Sequence, residues 1–146
     1  MAHAYLDLVD FLLVAEAITG TPAETLARME TLVQRAQSAL AAPAASFSDT
    51  ELYPDPVAKA AILCSRIVRN HPLVDGNKRV AYLCLVESLE RNGYGWPYPT
   101  GPEDENDIVG TIVNLAAGVL EEKDFIEWVR QRTRSSRRDS PCSSPQ

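Results

Sequence analysis

The feature that most constrains this chain is a polar stretch of nine residues, His71-Pro72-Leu73-Val74-Asp75-Gly76-Asn77-Lys78-Arg79, set between two apolar segments. Val57 to Asn70 precedes it and Val80 to Glu90 follows it. Both flanks are long enough for buried helices. A reactive-looking loop is therefore clamped between two core helices, and the second helix begins inside it. A helix N-terminus presents free N–H groups and the positive end of a dipole, which suits an anion. Here that end also carries Lys78 and Arg79. The residues read as a phosphate cradle with a titratable base, His71, upstream of it.

Composition narrows the class. With 146 residues, 45% hydrophobic and 23% charged, the chain reads as one soluble globular domain. No apolar run approaches the ~18 residues needed to span a bilayer. No basic n-region or cleavage site marks a signal peptide at the N-terminus, so a cytoplasmic location is expected. Cys64 and Cys84 lie in apolar helical stretches and Cys142 in a polar tail. No pair has zinc-ligand spacing, and reduced, buried thiols in core-filling roles are expected. The net charge is −6; three Arg and one Asp give residues 133–146 a charge of +2, leaving −8 on the body. A general nucleic-acid binder needs a basic footprint, so direct nucleic-acid binding is not expected.

The order of the chain predicts an all-α architecture of about six helices. Ala4 to Thr19 reads as an amphipathic helix with Leu6, Val9, Leu13 and Ala17 as its stripe, widened by Leu8, Leu12 and Ala15. Gly20 ends it. Thr21-Pro22-Ala23-Glu24 resembles a helix start with Thr21 as N-cap. Helical sequence continues to Leu40, with a break near Met29. The prolines 43, 54 and 56 mark a loop or short hairpin of about fifteen residues, a length that is often functional. Asp55 before Pro56 caps the central helix. Arg91-Asn92-Gly93 stops the next one. Glu103, Asp104 and Glu105 fit a first helical turn. Glu121 to about Arg132 forms a last helix with Phe125, Ile126, Trp128 and Val129 inward. The expected division is a domain at 1–132 and a disordered tail at 133–146.

The nine residues resemble the Fic/Doc motif, whose general form is H-x-F-x-[DE]-[GA]-N-x-R. The Asn77-Lys78-Arg79 ending is similar to the Doc (death-on-curing) toxin branch, since adenylylating Fic proteins usually have Gly where Lys78 stands. Glu51-Leu52-Tyr53-Pro54, Arg69-Asn70 and Glu90-Arg91-Asn92-Gly93-Tyr94 are also Doc-like, so the likeness covers roughly Leu6 to Trp128. A motif this long in a matching helix–loop–helix context is specific. The resemblance implies a compact helical fold with a flap before the central helix, and nucleotide-dependent transfer to a protein hydroxyl. By position, His71 matches the general base, a job that suits an imidazole. Asp75 matches the carboxylate that holds Mg²⁺ against ATP phosphates. Gly76 lets the backbone approach the phosphate. Asn77 and Arg79 match phosphate ligands, and the forked donors of Arg79 suit an oxyanion. Phe47 and Ser48 match a flap that docks the target.

Lys78 sets the reaction class under this resemblance. It fills the pocket that Gly leaves open in the adenylylating branch and adds a charge. In the Doc branch this change accompanies transfer of the γ-phosphate of ATP. The implied activity is a toxin kinase of a toxin–antitoxin pair, acting on a Ser or Thr of translation elongation factor Tu and halting protein synthesis. No Ser/Thr-x-x-x-Glu-Gly/Asn self-inhibitory motif is present in the chain, so inhibition is expected from an antitoxin in trans. Two departures are Leu73, where Phe is usual, and Val80, where Thr often follows the Arg. Neither removes a reacting group. The competing readings are AMP transfer on the same fold, a family member with a decayed site acting as a binding protein, and a nuclease, which the acidic body disfavours. As isolated residues, His71 reads as a capping or surface histidine and Asp75 as a plain N-cap; the motif reverses the first reading and adds metal binding to the second.

Overall fold

The computed structural model describes residues 2–138. It is all-α, with α1 (Leu8–Thr19), α2 (Ala23–Ala27), α3 (Glu30–Ala41), α4 (Pro56–Asn70), α5 (Asn77–Arg91), α6 (Pro102–Ala116) and α7 (Glu122–Arg138). Between α3 and α4 lie a short 3-10 turn at Ala42–Ala44 and a hairpin of β1 (Ser46–Phe47) and β2 (Thr50–Glu51). The hairpin pairs Ser46 with Glu51 and Phe47 with Thr50. Ser48 and Asp49 both take positive φ, 51° and 64°, as a two-residue turn matched to strand twist requires.

The central helix is α4. Asp55 caps it, accepting from the Ala58 N–H at 2.9 Å, and Pro56 occupies its first position. Small residues, Ala58, Ala60, Ala61, Cys64 and Ser65, let other helices approach closely; α3, α5, α6 and α7 all pack on it. The large side chains of the surrounding core include Phe11, Leu85, Leu115 and Phe125, all essentially fully buried. Each such side chain contributes roughly 1.5–3 kcal/mol by leaving water. The Ser65 hydroxyl in this apolar setting donates to Glu122 Oε2 at 2.7 Å, and Glu122 also holds Arg66 at 2.8 Å. The start of α7 is thereby fixed to the last turns of α4.

Local expectations at three helices are corrected. The first helix begins at Leu8, because Asp7 and Asp10 exchange capping bonds of 2.9 Å each. Its inward face is Phe11, Leu12 and Ala15, whereas Val9 and Leu13 are 62% and 54% exposed. Thr21 does not cap α2; Pro22 is the N-cap residue, and Glu16, reaching from α1, accepts the Ala23 N–H at 2.9 Å. The break near Met29 is present, with α2 ending at Ala27 and α3 starting at Glu30. The last helix continues past the expected end near Arg132 to Arg138, and Thr133 is buried with its hydroxyl bonded to the Val129 carbonyl at 3.1 Å. Residues 139–146 of the expected tail, Cys142 included, lie outside the described residues.

The segment between α5 and α6 is held by aromatic and charged side chains together. Trp96 Nε1 donates to the Tyr82 hydroxyl at 2.7 Å, and the Arg132 guanidinium lies 5.0 Å from the Trp96 ring centre. Arg132 grips Asp104 with two bonds, 2.8 and 2.9 Å, and donates to the Pro97 carbonyl at 3.0 Å. Among the described residues no helix is long and apolar enough to cross a membrane.

Candidate active site at the start of the fifth helix

The site is made where α4 ends and α5 begins. His71 is the C-cap of α4, in the left-handed region at φ 50° and ψ 57°, with its N–H donating to the Ile67 carbonyl at 3.1 Å. Glycine is the usual residue there. A network across to α3 holds the backbone: Arg35 Nη1 donates to the His71 carbonyl at 3.4 Å, and Asn70 Nδ2 donates to the Arg35 carbonyl at 3.1 Å. The imidazole itself is exposed.

The loop then turns inward and out again. Leu73 is 3% exposed, so the shorter side chain still reaches the core in place of the motif's Phe. Asn77 uses both ends of its carboxamide on Leu73, accepting its N–H at 2.9 Å and donating to its carbonyl at 2.8 Å. That side chain therefore closes the loop, and its backbone N–H is what it can offer an anion. Val74 and Asp75 face solvent. Gly76 has φ +89°, and a Cβ there would lie 3.3 Å from Ile18 Cγ2 on α1. Glycine is needed for the turn and for this approach.

No side chain caps α5, and Val80 N–H to Gly76 O is its first backbone bond. The N–H groups of Asn77, Lys78 and Arg79 are thus left without helical acceptors. The Lys78 and Arg79 side chains are exposed beside them. Cations at the positive end of a helix are unfavourable unless an anion joins them.

Two cavities meet this terminus, and a third cleft lies at His71. One, of about 480 Å³, has Asp75, Gly76, Asn77, Lys78 and Arg79 on one wall and Ile18, Thr19, Leu26, Met29 and Leu32 on the other. A second, of about 340 Å³, shares Lys78 and Arg79 and continues between α5 and α6 along Tyr82, Ile108 and Ile112. His71 lines the small cleft with Asp75, Gly76, Asn77 and Lys78. The structure therefore brings His71, Asp75, Gly76, Asn77, Lys78 and Arg79 together. Phe47 and Ser48 line neither the cleft nor the cavities at the loop. Phe47 stands 75% exposed on its hairpin.

Burial pushes the Cys64 thiol far up, and burial with the nearby Asp10 charge pushes the Cys84 thiol up to about 12. Neither is a nucleophile at neutral pH. No cluster of three or more possible metal ligands occurs among the described residues. The exposed Asp75 carboxylate beside the anion cradle fits magnesium, which is commonly held by one or two carboxylates plus substrate phosphates. Sequence reasoning missed Arg35 and the Ile18–Thr19 wall. Both act across long chain separations, and only the Thr19-Gly20 helix end gave a local signal.

The family model described as the Fic/DOC family matches residues 5–89, which include the whole loop. The chain belongs to the Fic/Doc family. It is similar to the Toxin Doc of Mycolicibacterium smegmatis (strain ATCC 700084 / mc(2)155), with 43% identity over 56 residues. That match takes in 38% of this chain and 43% of the relative, so it spans less than half the length of either. No solved structure matches. In Fic/Doc terms, the motif's His, acid, Gly, Asn and Arg stand here as His71, Asp75, Gly76, Asn77 and Arg79 around one helix terminus.

Proposed function

We propose that this Fic/Doc chain is a Doc-like toxin that transfers the γ-phosphate of ATP to a Ser or Thr hydroxyl of a protein, with elongation factor Tu as the target, and so stops translation. The observation that carries the reading is the uncapped α5 N-terminus, where free N–H groups and two cations adjoin His71. Family members transfer phosphate or AMP, and the relative named Toxin Doc favours a toxin with an antitoxin partner acting in trans in the cytoplasm.

The residues divide the work as follows. The N–H groups of Asn77, Lys78 and Arg79 hold the oxygens of the phosphoryl group that moves, and the side chains of Lys78 and Arg79 offset its charge. His71 takes the proton of the target hydroxyl as that oxygen bonds to phosphorus and the bond to the leaving ADP breaks. The proton rests on the imidazole until ADP departs. Asp75 would hold Mg²⁺, which draws charge from the phosphate oxygens when bound. Asn77 and Gly76 fix the loop so that these groups do not reorganise during the reaction.

Intact-protein mass spectrometry tests the reading. The chain is incubated with ATP, Mg²⁺ and elongation factor Tu, beside a His71→Ala control. Gain of one phosphate, absent in the control, is the expected result. Gain of AMP would place the chain in the adenylylating class and overturn the reading of Lys78. No modification of elongation factor Tu, with labelled phosphate appearing on another lysate protein, would overturn the target alone.

A further inference from the structure

A buried charge lies outside the site. Lys59, in the first turn of α4, is 3% exposed. Its Nζ donates to Glu51 Oε1 on β2 at 2.8 Å and to the Pro43 carbonyl in the 3-10 turn at 3.1 Å, and lies 5.7 Å from the centre of the Tyr5 ring. The N-terminal arm, the turn before the hairpin and the second strand all converge on one ammonium. Burial lowers its pKa, but bonding to Glu51 and Tyr5 outweighs this and leaves it raised, so the group is charged at neutral pH.

Core packing does not require a cation here, since an apolar side chain of similar length fills such space as well and often with more stability. The hairpin does need an anchor. It has two residue pairs, both strands are exposed, and Leu52 N–H to the Ala45 carbonyl at 3.0 Å is the one further backbone bond closing it. A two-stranded hairpin of this kind is marginal by itself. It also carries the exposed Phe47. The same rigid helix that begins at Lys59's turn ends at His71, about 18 Å further on at 1.5 Å per residue.

We propose that Lys59 is a positioning residue that holds the hairpin at a fixed place relative to His71, so that a protein segment resting on Phe47 presents its hydroxyl to the imidazole. This rests on the transfer reaction proposed above. Lys59 touches neither nucleotide nor hydroxyl in this account. Its effect is on the affinity for the protein substrate, not on the chemical step.

The test compares the full chain with Lys59→Met and with Glu51→Ala. Glu51 is half exposed, so Glu51→Ala removes the contact from the hairpin side while the Pro43 carbonyl still accepts from the ammonium, and it decides the matter if Lys59→Met does not fold. Chymotryptic cleavage after Phe47, which needs the hairpin to open, is expected to speed up roughly tenfold in both variants, as loss of a charge-assisted bond predicts. KM for the protein target is expected to rise by a similar factor, with kcat and KM for ATP unchanged. Unchanged cleavage would overturn the anchor, whatever the activity. Faster cleavage with unchanged protein KM would overturn the positioning role. If the wild-type chain transfers nothing, the proposed chemistry falls while the cleavage comparison still decides the anchor.

Discussion

Asn77 holds Leu73 by both ends of one carboxamide, at 2.9 and 2.8 Å, across four residues of chain and out of contact with water. The first residue of α5 thereby fixes the loop that precedes it, and the loop in turn exposes the N–H groups behind it. Asn77→Ala leaves a buried N–H and a buried carbonyl without partners. We expect a loss of about 2–3 kcal/mol, consistent with costs of roughly 1–3 kcal/mol per orphaned group. Urea denaturation measures it, and a change below about 0.5 kcal/mol, within the usual range for surface substitutions, would show that the loop is held by other means.

His71 should separate stability from activity. It occupies a left-handed C-cap at φ 50°, where a side chain costs about 1 kcal/mol and glycine costs nothing. His71→Gly is expected to raise the unfolding free energy by up to about 1 kcal/mol while lowering transfer by at least about 100-fold, the usual contribution of a general base. A variant that loses both would mean that the side chain holds the fold.

Gly76→Ala should fail for two reasons at once. The backbone has φ +89°, and the new methyl meets Ile18 at 3.3 Å. A destabilisation of about 1–3 kcal/mol is expected from strain of this size. The displaced α1 end should also alter the 480 Å³ cavity, so weakened nucleotide binding in calorimetry should accompany the shift in melting.

Acid should loosen the contact between α6 and α7. The bonds from Arg132, then the Thr100 N–H, lower the Asp104 pKa from 3.8 to about 2. The folded form thus binds this proton less readily than the unfolded one. The contribution of Asp104 is complete above about pH 4 and is lost as pH falls towards 2. The difference in stability between the native chain and Asp104→Asn should shrink over that interval and stay constant from pH 5 to 7. Thermal melts at half-unit pH steps would show this, and a constant difference down to pH 2 would refute it.

Much of this arrangement was legible because it is local. Asp55-Pro56, Arg91-Asn92-Gly93 and the acids after Gly101 all mark helix ends by short-range capping chemistry, and α4, α5 and α6 begin or end there. The nine-residue loop was legible because its residue types are improbable together in a core. What failed was the choice among faces. In α1, apolar side chains surround the helix, so the sequence pattern joins Leu12 and Ala15 of the buried face to the exposed Val9 and Leu13 and omits Phe11. Only the position of α5 decides between them. The cap of α2 went to Glu16 because a neighbouring helix supplied a better acceptor than Thr21. Arg35 and Lys59 could not be found in the same way, since each acts on a segment that the sequence places far from it or shows as a loop. The paired hydrogen bonds of Asn77 to Leu73 are local, but chain spacing alone does not reveal which way a carboxamide points.

The left-handed histidine at the end of α4 has a consequence for anyone who breeds or redesigns this protein. A selection that rewards only thermal tolerance would favour glycine at position 71 among its early gains, because the backbone there already has the shape glycine prefers. The resulting chain would keep its helices, its loop and its cavities while lacking the imidazole proposed above as the general base. Robustness screens on this scaffold therefore need position 71 held constant, or they will enrich well-folded copies without the proposed base.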